Sequence, residues 1–384
     1  MARRTRVLFL IPRLRAGGAE QVMKLVAQGL SREKYEIHLG LVMARGKGGD
    51  SLPAWVSVHA LGARRARTAS LALLRLVWQI RPNVILSGAP EISFMVLLLR
   101  PFFPARTRIL VRQNGTVSAA LKMGGVPRYT RLLYRWLYRR ADRVICQSRA
   151  MAEDLQRALQ IEPEKLAVLA NPVDVEGIRA ADKNLPGVWN GPGPHLLAVG
   201  RLAHEKGFDL LIEAFAQVRA RYPDADLAIV GDGREAPALK EQSRRMGLEH
   251  AIRFTGQLDR PYAFLAGATL FVLSSRYEGM PNALLEAAAA GLPLVATPAS
   301  GGVVDLLRGR PGARLAAEAS APALSAALLA ALDTLRPGER FSHAFFATAQ
   351  DQISHAAQSE DQPTPVASIQ ASMSEGNPSR AYSS

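Results

Sequence analysis

Two glutamates stand eight positions apart in SSRYEGMPNALLEA, residues 274–287, with Gly279 and Pro281 between them and apolar residues on both sides of the second. A carboxylate set among Leu and Ala needs a hydrogen-bonding partner, because an unpaired buried charge costs several kcal/mol. Ribose hydroxyls would suit Glu286 and sugar hydroxyls Glu278; the other reading is a helix that shows one Glu to solvent. Upstream, VGRLAHEKGFDLLIEAF ends a strand in Gly200 and sets Arg201 and Lys206 in the loop before an amphipathic helix. Two cations at a strand-to-helix turn can pair with a diphosphate, which needs more than one partner. The plainer alternative is an exposed loop of solvated charges. Pro281 fits the first helical position before NALLEAAAAG. The backbone from Gly279 through Met280 to Asn282 then forms a helix N-terminus suited to phosphate.

Other candidates carry less. The GDG of AIVGDGREAPAL ends a strand in a turn that could approach a ligand closely, but it lacks the GxGxxG spacing of a dinucleotide loop. Asp224 and Asp226 imitate a metal-binding Asp-x-Asp pair, yet they precede a strand and read as a turn. His204 reads as a surface residue. No metal ligand set is expected, and no cofactor.

These residues need a scaffold of strand ends and helix starts. Short apolar runs alternate with helical patterns along most of the chain, which predicts parallel sheets built from βαβ units. Strands are expected at RVLFLI, YEIHLGLVM, VSVHAL, NVILSG, RILVRQN, RVICQS and LAVLAN, then at HLLAVG, DLAIVG, IRFTG, LFVLSS and PLVAT. Helices are expected over 207–221, 234–247 and 281–290. With 384 residues, two domains are the prior. DKNLPGVWNGPGPH, with three Pro and three Gly, reads as their linker. The expected division is 1–181, linker 182–195, 196–345, and a Ser-, Gln-, Ala- and Pro-rich tail over 346–384 that reads as disordered. Two doubly wound domains joined in this way place the carboxyl ends of both sets of strands toward a shared cleft.

Charge separates the halves. Residues 1–180 hold 30 Lys and Arg against 12 Asp and Glu, or +18; the remainder hold 18 against 21, or −3, which together give the overall +15. An anionic partner therefore belongs to the first half, although Arg-rich composition also follows from a GC-rich genome. The single cysteine, Cys146, excludes an internal disulfide and a cysteine metal site, fits a reducing cytoplasm and falls in a buried strand. The apolar run VLFLIP after the N-terminal arginines is too short for a signal core. No stretch approaches a membrane span, and mean hydropathy is +0.02. VPRYTRLLYRWLYRRADR, residues 126–143, repeats Arg128, Arg131, Arg135 and Arg139 at helical spacing, with Leu132, Leu133, Trp136 and Leu137 on other faces. Such a helix suits an anionic bilayer surface, or is a core-packed helix whose arginines are solvated.

In their order and spacing, GRLAHEKGFDLLIEAF, LAIVGDG, IRFTG and SSRYEGMPNALLEAAAAGLPLVAT resemble the C-terminal domain of the retaining family 4 glycosyltransferases, and AGGAE, residues 16–20, resembles that family's glycine loop after the first strand. The resemblance spans roughly residues 5–335. It implies a GT-B fold of two Rossmann-like domains facing a cleft, and a nucleotide-diphosphate sugar, UDP-sugar favoured, held by the second. It places Arg201 and Lys206 on the diphosphate, Glu278 near the donor sugar and Glu286 on the ribose, while Gly17 and Gly18 let the first domain's backbone approach the donor phosphate. With +18 on the first half and the basic helix at 126–143, the expected acceptor is a cell-envelope glycan or lipid-linked sugar at the inner face of the cytoplasmic membrane.

Two departures stand out. Many family members carry a cleft histidine near the donor sugar, but this chain has no His between 59 and 195. Its corresponding loop is VRQNG, where Gln113 or Asn114 would supply those contacts. The tail after Phe346 also lacks the usual closing helix. Three rival readings remain: a sugar-nucleotide epimerase of the same architecture, a basic nucleic-acid- or membrane-binding protein, and an inactive scaffold. The missing histidine counts against the first. The second, taken as a nucleic-acid binder, lacks aromatic stacking positions on its sheets, so no nucleic-acid partner is expected.

Overall fold

A computed structural model describes residues 4–13, 18–43, 52–63, 68–118, 128–181, 189, 192–258, 261–336 and 338–341, with side chains described from residue 131 onward in the helix that begins at 128. The chain divides into two compact units at Pro172/Val173. In the first, β1 (Thr5–Ile11), α1 (Gly18–Gly29), β2 (Tyr35–Leu41), β3 (Ser57–Ala60), α2 (Ser70–Ile80), β4 (Val84–Ser87), α3 (Pro90–Leu99), β5 (Arg108–Arg112), α4 (Arg128–Tyr138), β6 (Arg143–Cys146), α5 (Arg149–Leu159) and β7 (Leu166–Val168) follow in order. The second holds α6 (Val175–Arg179), β8 (His195–Val199), α7 (Phe208–Arg221), β9 (Asp226–Val230), α8 (Ala236–Arg245), β10 (Ile252–Gly256), α9 (Tyr262–Gly267), β11 (Leu270–Leu273), α10 (Asn282–Ala289), β12 (Leu294–Ala296), α11 (Gly301–Leu307), β13 (Ala313–Leu315) and α12 (Ala321–Leu332).

Both sheets are parallel throughout, ordered β3-β2-β1-β4-β5-β6-β7 and β10-β9-β8-β11-β12-β13. Each therefore reverses its winding once, between β1 and β4 and between β8 and β11, which is the doubly wound arrangement. The strands are buried on both faces, so they read as continuous apolar runs: Val7, Leu8, Phe9 and Leu10 are all inaccessible. In the first unit one core lies beneath α2, α3, α4 and α5, and a second lies on the α1 side.

The unit boundary falls ahead of the expected linker. After β7 the chain enters the second unit at once, and α6 packs on α9 and α10. Trp189, inside the Pro- and Gly-rich stretch, stacks on His195 at 4.9 Å and meets Phe264 edge-on. That stretch thus belongs to the second unit where it is described, because its aromatic residue has a partner there. Composition marks irregular backbone and not the change of core. The expected tail, 346–384, lies outside the described residues, as does most of 182–191.

Candidate functional site

The switch point of the second sheet is where the singled-out residues gather. β8 ends at Val199 and β11 at Leu273, and these strands are neighbours. Their carboxyl ends therefore present two loops side by side, 200–207 and 274–281. In α/β sheets this is where ligands bind.

The two loops are joined by direct bonds. Lys206 closes a single 3-10 turn, and Gly207 follows with φ +62°, a left-handed conformation that Gly adopts without steric cost. A Cβ on Gly207 would lie 2.1 Å from the Ser274 carbonyl oxygen, so the approach requires Gly. Ser274 Oγ donates to the Lys206 carbonyl at 2.9 Å. Lys206 Nζ donates to Glu278 Oε1 at 2.5 Å, and Ser275 Oγ donates to the same oxygen at 2.7 Å. Arg276 completes the joint: its guanidinium binds Asp209 through both carboxylate oxygens, at 2.7 and 2.5 Å, and donates to the His204 carbonyl. Burial works against the charge on Asp209, but the Arg276 hydrogen bonds outweigh it and hold that carboxyl below its usual range.

The far side of the 275–279 turn is also fixed. Glu278 N–H donates to the Ala299 carbonyl, Thr297 Oγ1 to the Ser275 carbonyl and Ser300 Oγ to the Gly279 carbonyl. Ser300 Oγ also caps α11, accepting from Val303 N–H. Gly279, Met280 and Pro281 are buried beneath this turn. Pro281 stands one residue before α10, with ψ +117°, and not at its first helical position. The preceding chain is extended there and proline's fixed φ serves that entry equally well. Leu284 and Leu285 N–H both reach the Pro281 carbonyl, which closes the first turn of α10.

Arg201 differs from Lys206. It is 71 % exposed, and its described bond is to Glu205 at 2.6 Å, four residues on. Such a pair is worth a few tenths of a kcal/mol, so the guanidinium is readily taken over by a stronger anion. Gly200 donates to the Val230 carbonyl, and a Cβ on Gly231 would fall 1.9 Å from the Gly200 oxygen. The glycine of GDG that suggested ligand approach thus serves approach to the neighbouring loop. Asp226 starts β9 at the opposite edge of the sheet and pairs with His195 at 2.6 Å. Among the described residues, no group of three or more His, Cys, Asp or Glu could hold a metal ion.

Glu286 lies on α10 and is partly buried. Burial raises its carboxyl to about 7, and the Asp174 carboxylate adds to the rise. Asp174 caps α6, accepting from Gly177 N–H at 2.9 Å, while Tyr262 Oη lies 3.4 Å from its other oxygen. Among the described residues no hydrogen bond reaches the Glu286 carboxylate.

In the first unit, Gly18 opens α1 and is exposed, whereas Gly17 lies outside the described residues. Gln113 is buried at the end of β5 with both amide ends engaged: Tyr138 Oη donates to Oε1 and Nε2 donates to the Gly115 carbonyl, both at 2.7 Å. Asn114 donates to the Gly88 carbonyl and accepts from Arg112, each at 2.5 Å. Arg112 is itself buried and bound to Asn171, and burial lowers its guanidinium to about 10. These amides therefore brace the loops at the carboxyl edge of the first sheet.

Sequence reasoning did not reach Arg276, Asp209, Ser275 or Asp174. Arg276 and Ser275 lie inside the quoted motif, but their partners come from a different strand end. Asp174 lies across what looked like a domain boundary.

Comparison with known proteins decides the family. Residues 16–176 match the family described as Glycosyltransferase Family 4, and residues 193–334 match Glycosyl transferases group 1. A glycogen synthase of Mycobacterium tuberculosis is 30 % identical over 77 % of this chain and 71 % of its own. The chain belongs to the family 4 glycosyltransferases. Other glycosyltransferase relatives include the Campylobacter jejuni N-acetylgalactosamine-N,N'-diacetylbacillosaminyl-diphospho-undecaprenol 4-alpha-N-acetylgalactosaminyltransferase, 27 % identical over 76 % of this chain and 80 % of its own. An uncharacterised glycosyltransferase of Methanocaldococcus jannaschii is 24 % identical over 61 % of this chain and matched over 60 % of its own length. The crystal structure of Anabaena HepE in complex with UDP and glucose superimposes with a TM-score of 0.75 at 21 % identity, covering 97 % of this chain and 99 % of that one. That likeness is one of fold, the GT-B class with two Rossmann-like units. The glycosyltransferase thus enters the EC 2.4 transferases, and the epimerase and nucleic-acid readings gain no residue from the site.

Proposed function

We propose that this glycosyltransferase moves a sugar from a nucleotide-diphosphate donor, a UDP-sugar in the favoured case, to a hydroxyl of a cell-envelope glycan or lipid-linked acceptor, with retention of configuration. The observation that carries the reading is the Lys206–Glu278 pair at the switch point, with exposed Arg201 beside it and the start of α10 next to it. Lys206 and Arg201 would bind the diphosphate, while the chain from Gly200 and from Gly279, Met280 and Pro281 to Asn282 would meet its phosphates. The charge that develops on the leaving diphosphate is then stabilised by fixed cations and dipoles, so no metal is required. Lys206 leaves Glu278 as the diphosphate arrives, and Glu278 turns to a sugar hydroxyl. Glu286, lacking a protein donor, would accept from the ribose hydroxyls. For the first unit, the family resemblance implies a role for Gly17 and Gly18 toward the donor phosphate, and Gln113 and Asn114 would hold the loop that takes the place of the family's histidine loop.

The named substrates of two relatives support donor and acceptor: HepE was crystallised with UDP and glucose, and the Campylobacter enzyme's name specifies a diphospho-undecaprenol acceptor. The basic helix within 126–143 would meet an anionic membrane from the cytoplasmic side. No described helix is long and apolar enough to cross a membrane. A transfer and hydrolysis assay over UDP- and GDP-sugars tests the proposal. Turnover with one of them, lost in Lys206→Ala and Glu286→Ala together with UDP-induced thermal stabilisation, is expected. An absence of turnover with every donor, or UDP binding unchanged in both variants, would overturn it, the first in favour of an inactive scaffold.

A further inference from the structure

Nine large apolar side chains are exposed among the described residues, and seven of them lie on one face of the first unit. Leu71 and Trp78 stand on α2, Leu98 and Phe102 at and just beyond the end of α3, and Leu132, Leu133 and Trp136 on α4. These helices pack side by side, α2 on α3 and α3 on α4, with Phe94 edge-on to Tyr134 at 4.4 Å. The face is continuous at its edge: Trp78 Nε1 donates to the Phe102 carbonyl at 3.0 Å, Arg100 donates to the Arg140 carbonyl, and the Arg140 guanidinium lies 3.6 Å over the Trp136 ring.

At that edge lies a shallow cavity of about 500 Å³ lined by Arg100, Arg139, Arg140, Lys165 and Asp142. Four cations and one carboxylate line it, and a second carboxylate, Glu162, stands next to two of the cations. Asp142 is committed to Arg100 at 2.9 Å and to Ile109 N–H, and Glu162 makes looser ion pairs of 3.7 Å with both Arg139 and Lys165. Arg140 has no carboxylate partner among the described residues. The cavity sits where α4 ends and β6 begins, at the amino edge of the sheet and away from Gln113 and Asn114 at the carboxyl end of β5. It is therefore not a part of the site already described.

We infer that this cavity binds the phosphate of an anionic phospholipid head group while Trp78, Phe102, Leu132 and Trp136 enter the bilayer interface beside it. The inference rests on the membrane reading above and makes it specific: a three-helix platform with a phosphate notch at its rim, in place of one amphipathic helix. Exposed aromatics next to surplus cations fit that occupant. Amphipathic rings favour the headgroup level, and Lys and Arg near an anionic leaflet attract it. A partner protein would meet the same apolar surface, but the notch, with its net positive charge, is complementary to phosphate.

Sedimentation of the full chain with phosphatidylcholine vesicles, with and without phosphatidylglycerol, tests the inference. The chain is expected to partition onto the phosphatidylglycerol vesicles, and Arg140→Gln with Lys165→Gln to lower that partition by roughly fivefold for each cation removed. Phe102→Ser with Trp136→Ser should lower it as well. UDP-induced thermal stabilisation should be unchanged in all of these surface variants, which also reports that they fold. Equal partition onto neutral and anionic vesicles, or wild-type partition by the Arg140/Lys165 variant, overturns the inference. So does a notch that serves free phosphate, seen as thermal stabilisation by inorganic phosphate that the variant loses while vesicle partition stays. Absence of a UDP response in the unaltered chain would instead defeat the donor reading and leave the vesicle result standing.

Discussion

Glu286 is the residue whose surroundings say most about its use. A carboxyl raised to about 7 from an ordinary value near 4.5 binds its proton more tightly in the fold than in the unfolded chain. Its contribution to stability is therefore fully present below about pH 4.5 and is lost as pH rises through 7. Glu286→Gln should leave the free protein nearly unchanged at low pH and raise its stability at pH 8 by about 1–3 kcal/mol, read from urea midpoints at the two pH values. Ribose hydroxyls donate best to the ionised carboxylate, so UDP affinity should tighten as pH rises past 7, and titration calorimetry should find that slope flattened in Glu286→Gln. A slope kept by the variant would assign the pH dependence elsewhere. Lys206 makes the complementary case. Removing it leaves Glu278 Oε1 with Ser275 alone, so Lys206→Met should cost about 1–3 kcal/mol of stability. Glu278→Gln in the same chain should restore part of that loss, but not UDP affinity, which should stay weaker by roughly tenfold to a hundredfold.

At the scale of elements, the site depends on two strand ends held in one register. Gly207 and Arg276 make that joint: one lets the backbones meet, the other binds Asp209 across the gap. Gly207→Ala puts a methyl into the Ser274 carbonyl at a left-handed position, so a loss of about 2–4 kcal/mol is expected, visible as a lower urea midpoint. Arg276→Lys keeps the charge but not the two-point grip on Asp209. It should weaken UDP binding more than it lowers the melting temperature, and the reverse order would mean that Arg276 is only structural. The elements themselves were legible because buried parallel strands are apolar throughout and their helices are periodic; the strands expected at RVLFLI, NVILSG and LFVLSS are where they should be. Within the candidate site, Glu278 and Glu286 could be singled out because they share one stretch. The site was not legible where partners meet through topology, as with Arg276 and Asp209, or Glu286 and Asp174. The short β13, with only Ala313–Leu315, offered too brief an apolar run to see.

On the scale of the whole molecule, the division of charge runs parallel to the proposed division of labour. The half with +18 carries the exposed aromatic face and its basic notch, and the half with −3 carries the residues proposed to hold the donor. The low net charge of the second half means that, on the proposed donor reading, its attraction for a nucleotide diphosphate would come from a few placed groups, Arg201, Lys206 and a helix start, at contact distance. The first half, on the proposed membrane reading, would act over a longer reach, and a surface of fixed positive charges opposite an anionic bilayer is screened within about 8 Å at physiological ionic strength. Salt should therefore separate the two functions. With an acceptor carried in phosphatidylglycerol vesicles, raising ionic strength should lower the transfer rate steeply. With the same acceptor glycan on a short soluble carrier, the rate should change far less, because no bilayer has to be reached. The Arg140→Gln, Lys165→Gln chain should show a shallower salt slope on vesicles and an unchanged one on the soluble carrier. Equal slopes for both acceptors would place the salt sensitivity at the diphosphate and deny the basic half its part in finding the membrane.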